Sequence, residues 1–174
     1  MSKITNIRNK IRYNLEHGID PVLDYNNLLA AAEIDAGIRN WSPAWPAGDP
    51  RDNVGLLYRQ MMWIYLWRSV VPPQTTNWKL DPRITPAVND GIKLLSRFGP
   101  RDPSQTLILA PAFVIGCACF EEEQREPVRK AIKTVKEYMG YKNTDTALKV
   151  LEEDERSWDW QAIAARMKMD FIAT

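Results

Sequence analysis

The chain has 174 residues, 45% of them hydrophobic and 26% charged, with a formal net charge of +1 at pH 7. That composition excludes wholesale disorder, and 23 basic against 22 acidic side chains leave no excess to attract nucleic acid or an anionic membrane. Two cysteines exclude a disulfide scaffold and a multi-cysteine zinc site within these residues.

A chain of this length can bury about 70% of its unfolded surface, enough for one core without staples, so a single domain over residues 1–174 is expected. No run approaches the roughly 18 apolar residues that span a bilayer. Met1-Ser2-Lys3-Ile4-Thr5 lacks the apolar run of a secretory signal. The expectation is an intracellular, reducing compartment and no membrane partner.

The dominant period is helical, and no segment reads as a strand. Ile4, Ile7, Ile11 and Leu15 recur at helical spacing between Ser2, an N-cap, and Gly18, a C-cap. A turn at Asp20-Pro21 leads to a second helix marked by Leu28, Leu29, Ala32, Ala36 and Ile38 and ending near Asn40. Trp41-Ser42-Pro43-Ala44-Trp45-Pro46-Ala47-Gly48 reads as a loop, because each proline removes a donor and fixes φ. Residues 1–49 thus form a helical pair and a Pro/Trp loop.

Asp49-Pro50 restarts the helix, with Asp as N-cap and Pro in the first helical position. Val54, Leu57, Tyr58, Met61 and Tyr65 form a stripe, and Met61 to Trp67 is apolar or aromatic on every side. Such a helix is expected to be buried all round, so residues 50–71 are the predicted central helix, stopped by Pro72-Pro73. Thr85-Pro86 predicts another cap and first turn, with Val88, Ile92 and Leu95 on one face and Gly99-Pro100 at the end. Asp102-Pro103 opens a helix carrying Leu107 to Phe120, with Pro111 as a kink or junction. Val128, Ile132 and Val135 share a face of a helix closing at Gly140. Thr144 caps a short helix with Ala147, Leu148 and Leu151, and a last helix holds Trp160, Ile163, Ala164 and Met167. The prediction is an all-α fold, an irregular bundle of about eight helices around a central buried one.

Few constellations suggest chemistry. Cys117 and Cys119, read as helical, point about 200° apart and are expected to pack as small hydrophobes rather than hold a metal or a disulfide. His17, the single histidine, sits at a helix C-terminus that favours a positive imidazole. It has no partner that sequence can place, and no Gly-rich phosphate loop occurs. Glu121-Glu122-Glu123 and Glu152-Glu153-Asp154-Glu155 read as solvated helix ends beside Arg125 and Arg156. Tyr58-Arg59 and Trp67-Arg68 lie on the helix read as buried, which disfavours base stacking. Seven tryptophans are a heavy load: Trp63 and Trp67 lie four apart on one helix face, and Trp41, Trp45 and Trp78 sit in loops. Packing is the first reading for them, and an apolar ligand pocket the second.

Residues 50–174 resemble the regulatory (middle/C-terminal) domain of fungal-specific zinc binuclear cluster transcription factors. The segment Tyr58-Arg59-Gln60-Met61-Met62-Trp63-Ile64-Tyr65-Leu66-Trp67-Arg68 is similar to the family's long central helix. Asp102-Pro103 through Pro111-Ala112-Phe113-Val114-Ile115-Gly116-Cys117-Ala118 resembles its apolar–Pro–apolar–Gly–Cys helix, and Gln124-Arg125-Glu126 resembles the start of the next. Tyr141-Lys142-Asn143 leading to Val150-Leu151-Glu152-Glu153, then Ser157-Trp158-Asp159-Trp160-Gln161 and Asp170-Phe171, complete the pattern.

The family's six-cysteine DNA-reading module has no counterpart in these residues, so no direct DNA binding is expected of them. The segment joining Glu153 to the Trp-Asp-Trp stretch is short, and the family's regulatory region is longer, so the resemblance implies a trimmed or shortened form of it. It also implies a nuclear regulatory and interaction domain, ligand-responsive, not an enzyme, and without a cofactor. The expected partners are a small apolar metabolite and a co-regulator protein or second copy of the chain. Trp63, Trp67, Phe113 and Cys117 are the candidate ligand wall. A partner-binding scaffold or dimerisation domain with no small molecule is the alternative, and an enzyme using His17 or the acidic clusters is the third reading.

Overall fold

A computed structural model describes residues 2–46, 49–71, 82–140 and 142–152. Among them are seven helices and no strand: α1 (Ser2–Glu16), α2 (Tyr25–Asn40), α3 (Pro50–Val70), α4 (Ile84–Leu95), α5 (Gln105–Gly116), α6 (Glu122–Met139) and α7 (Asn143–Glu152). The expected eighth helix, with Trp160, Ile163, Ala164 and Met167, lies outside the described residues, as do Trp78 and the segments 157–161 and 170–171.

Local chemistry sets most of the boundaries. Asp49 caps α3 by accepting the Arg51 amide at 2.9 Å, and Pro50 takes the first helical position, where its missing N–H costs nothing. Asp24 caps α2 through the Asn27 amide at 2.8 Å. Gly18 and Gly140 both adopt positive φ, 61° and 67°, just past the ends of α1 and α6, where glycine avoids the Cβ penalty.

Other boundaries differ from the sequence reading. Thr85 and Pro86 lie inside the first turn of α4, which begins at Ile84; proline is tolerated there because that turn has no upstream carbonyl to bond. Asp102 does not start α5. Its carboxylate accepts the Ser104 amide at 2.8 Å in a turn, and the helix begins at Gln105. The same helix stops at Gly116 rather than running to Phe120, so Cys117 and Cys119 stand in the following turn and not on a helix. Thr144 is the buried second residue of α7, not its cap.

α3 packs against α1, α2, α4 and α5, and α5 in turn packs against α3, α4, α6 and α7. These two helices organise the core. The buried positions of α3 include Leu57, Gln60, Met61, Ile64, Tyr65 and Arg68, a stripe at i, i+3, i+4, i+7, i+8 and i+11, and its last turns add Leu66, Ser69 and Val70 off that stripe. Tyr58, Met62, Trp63 and Trp67, outside the stripe, are half-buried. The helix enclosed on nearly every side is α5, from Ile108 through Gly116, with Phe113 and Ile115 both at 0% exposure. α3 is thus the expected central helix, buried nearly all round from Ile64 to Val70 except at Trp67, while its N-terminal half keeps one side only half-buried.

Pro111 does not split α5. Its missing N–H leaves the Leu107 carbonyl without the usual i+4 donor, and the Tyr58 hydroxyl donates to that carbonyl at 3.1 Å. A proline on one helix is thereby satisfied by a tyrosine on another. No helix among the described residues is long and apolar enough to cross a membrane.

Candidate functional site

α2 is the least embedded of the helices around α3. Ala31 and Asp35 are its buried residues, while Tyr25, Leu28 and Leu29 stand 76%, 49% and 48% exposed. What holds it to α3 is partly polar. The buried Asp35 carboxylate accepts Nε of Arg39 at 2.6 Å and Nε1 of Trp67 at 3.1 Å. The Arg83 guanidinium, just ahead of α4, lies 3.7 Å from the Trp67 ring centroid and covers the indole. Arg39 lies 5.4 Å from the ring centroid of Trp63.

Beside this latch the two helices part and leave an apolar cleft of about 300 Å³. Ile34 and Ile38 of α2 form one wall. Tyr58 and Met62 of α3 form the other, and Trp41 closes the end near Gly55. A Cβ at Gly55 would sit 2.8 Å from Cη2 of Trp41, so the indole rests where only glycine leaves room. Gly37 also lines the cleft, with no atom within 4 Å of where its Cβ would be.

The polar content of the cleft is small and one-sided. Arg59 lines it; its Nη1 donates to the Trp41 carbonyl at 3.4 Å, while its Nε–H is buried with no hydrogen-bond partner. One turn on, Nε1–H of Trp63 is likewise buried and unpartnered. The Tyr58 hydroxyl is already committed to Leu107, and burial raises its pKa above the ordinary value, so it stays a neutral phenol at physiological pH. No carboxylate lines the cleft.

The four residues read from sequence as one wall occupy two places. Trp63 and Trp67 face α2, beside the cleft. Phe113 is fully enclosed in the α5 interior, and Cys117 lies at the α5 terminus, where its carbonyl accepts Nη1 of Arg68. Burial pushes the thiols of Cys117 and Cys119 up to about 12 each, against smaller opposing pulls from Arg68 on Cys117 and from Arg125 and Arg68 on Cys119. Both are therefore protonated and poorly nucleophilic at neutral pH.

His17 is exposed, stacked on Tyr13 with ring centroids 4.1 Å apart and bonded through Nδ1 to the Tyr13 carbonyl at 2.8 Å. Glu121, Glu122 and Glu123 are exposed. Glu122 pairs with Arg125 and Arg129, which holds its carboxyl below the usual range. Among the described residues no group of three or more His, Cys, Asp or Glu side chains could hold a metal ion.

Sequence reasoning missed Ile34, Gly37, Gly55 and Arg59 as members of one site. No periodic signal marked them, because Gly37 and Gly55 come together only once α2 and α3 are packed. No curated protein and no solved structure matches the chain. The family description "Fungal specific transcription factor domain" matches residues 1–174, and the protein belongs to that family, whose role is in transcription regulation.

Proposed function

We propose that the chain is a ligand-responsive regulatory domain of a nuclear fungal transcription factor, one domain over its 174 residues, with the α2–α3 cleft as the ligand seat. The observation that carries this reading is the cleft itself. It is apolar, about 300 Å³ in volume, and roofed by the helix with the thinnest hold on the core. That volume lies at the lower end for small-molecule sites. A ligand there touches α2 and α3 at once and therefore binds the closed arrangement better than one with α2 displaced, which is the differential affinity a population shift requires. Trp67 and Asp35 form the latch, Trp63 flanks the cleft, and Phe113 and Cys117 belong to the interior on which α3 leans.

The test is native mass spectrometry of the chain purified from a fungal host, followed by denaturing release, alongside Gly37→Leu, which places a side chain at the cleft lining. The expected result is a small molecule held near one-to-one by the wild type and absent from the variant. A clean apo mass in the wild type, or equal retention by both proteins, overturns the assignment.

A second reading rests on the outer face of α2. Tyr25, Leu28 and Leu29 present exposed apolar area that supports docking of a co-regulator or second copy. Sedimentation velocity separates the two: a dimer that Leu29→Glu dissociates supports self-association, and a monomer in both excludes it.

A further inference from the structure

The structure assigns the α2–α3 cleft a specific ligand class: an apolar molecule ending in a carboxylate, with the head group at Arg59. This rests on the cleft being a ligand seat, as proposed above. Among the arginines of this chain, Arg39, Arg51, Arg125 and Arg129 each have a carboxylate within ion-pair distance. Among the described residues Arg59 has none; its Nη1 makes a long bond to the Trp41 carbonyl. Its Nε–H is withdrawn from solvent without an acceptor, a state that costs free energy unless an acceptor arrives from elsewhere.

The polar supply around the cleft points the same way. Arg59 Nε and Trp63 Nε1 lie at i and i+4 on α3, and both are donors. The nearest carboxylate of the latch, Asp35, is occupied by Arg39 and Trp67, and the Tyr58 proton is occupied by Leu107. The cleft is thus lined by one cation with an unused Nε–H, with a second unused donor, Trp63 Nε1, one turn further along α3, and it has no anion among its lining residues beside walls of Ile34, Ile38, Trp41 and Met62. A guanidinium offers a planar fork that matches a carboxylate, and a charge-assisted bond is stronger than a neutral one. An alcohol can accept one such bond without the charge, and an amine places cation against cation.

Three probes with one apolar body test this on the full chain: octanoate, octan-1-ol and octylamine, titrated by calorimetry at constant ionic strength. The expected order is octanoate tightest by about tenfold over octan-1-ol, the worth of a charge-assisted bond, with octylamine weakest. Arg59→Met removes the preference, so that octanoate and octan-1-ol bind alike, and far-UV circular dichroism checks that the variant keeps its helices. Wild type binding octanoate and octan-1-ol equally overturns the carboxylate assignment and leaves the ligand seat standing. Octanoate preference that survives in Arg59→Met overturns Arg59 as its source. No heat from any probe at millimolar concentration overturns the cleft as a ligand seat and this inference with it.

Discussion

At the scale of single residues, the Tyr58–Leu107–Pro111 arrangement shows how one helix defect is corrected from another element. Pro111 deprives Leu107 of its donor, and Tyr58, half-buried on α3, supplies one at 3.1 Å. Removing the hydroxyl with Tyr58→Phe leaves the carbonyl to whatever water reaches it, at a cost of about 1 kcal/mol or less. In a Pro111→Ala background the amide of residue 111 bonds the same carbonyl, so the cost of Tyr58→Phe shrinks. Urea midpoints of the four proteins in this double-mutant cycle measure the coupling. Additive effects would show that the tyrosine is not answering the proline.

At the scale of elements, glycine separates helices that touch from helices that do not. Gly37 lies within α2 with open space where its Cβ would be, so Gly37→Ala restores helix propensity without a clash. A gain of about 0.5–1 kcal/mol follows. Gly91 on α4 faces the opposite case: its Cβ would meet Cδ1 of the fully buried Ile115 at 2.7 Å. Gly91→Ala therefore destabilises by about 1–3 kcal/mol, since the fully buried Ile115 side chain must shift to admit the methyl. Thermal melts of the two variants must shift in opposite directions; shifts of the same sign would mean that α2 is packed as tightly as α4. The contrast also explains what sequence could reveal. Periodicity found α1 through α4 and α6, because Ile4, Ile7 and Ile11, or Val128, Ile132 and Val135, stand at spacings that only a helix places on one face. Caps located α3, since Asp49-Pro50 acts locally. The end of α5 was not legible, because Cys117 to Phe120 continue the apolar pattern while the chain leaves the helix. The cleft was not legible either. It depends on Gly37 and Gly55 facing one another across two helices, and on a loop indole landing on the second, which are tertiary facts with no period in sequence.

At the scale of the whole molecule, α5 is the centre and α2 the margin, and the two cysteines report on the centre. Cys117 and Cys119 close α5 at its junction with α6, and burial lifts both thiols from the ordinary 9.0 to about 12. Well below pH 9 both are protonated whether the chain is folded or not, so they add no pH dependence there. Above pH 9 the unfolded chain releases these protons first and the folded chain retains them. Folding then binds protons, and stability falls as pH rises through the interval up to about 12. Each thiol contributes a slope of about 1.4 kcal/mol per pH unit in that window. Urea unfolding at several pH values from 8 to 10.5 measures it, with the double substitution Cys117→Ala and Cys119→Ala as reference. Lysine and tyrosine titrations are common to both proteins and cancel in the difference. The variant is expected to be less stable than wild type at pH 8, because two buried sulfurs are lost, and to approach it as pH rises. A constant difference across the range would mean that the α5 terminus opens to solvent without the core unfolding, and would move the margin of the molecule from α2 to the α5–α6 junction.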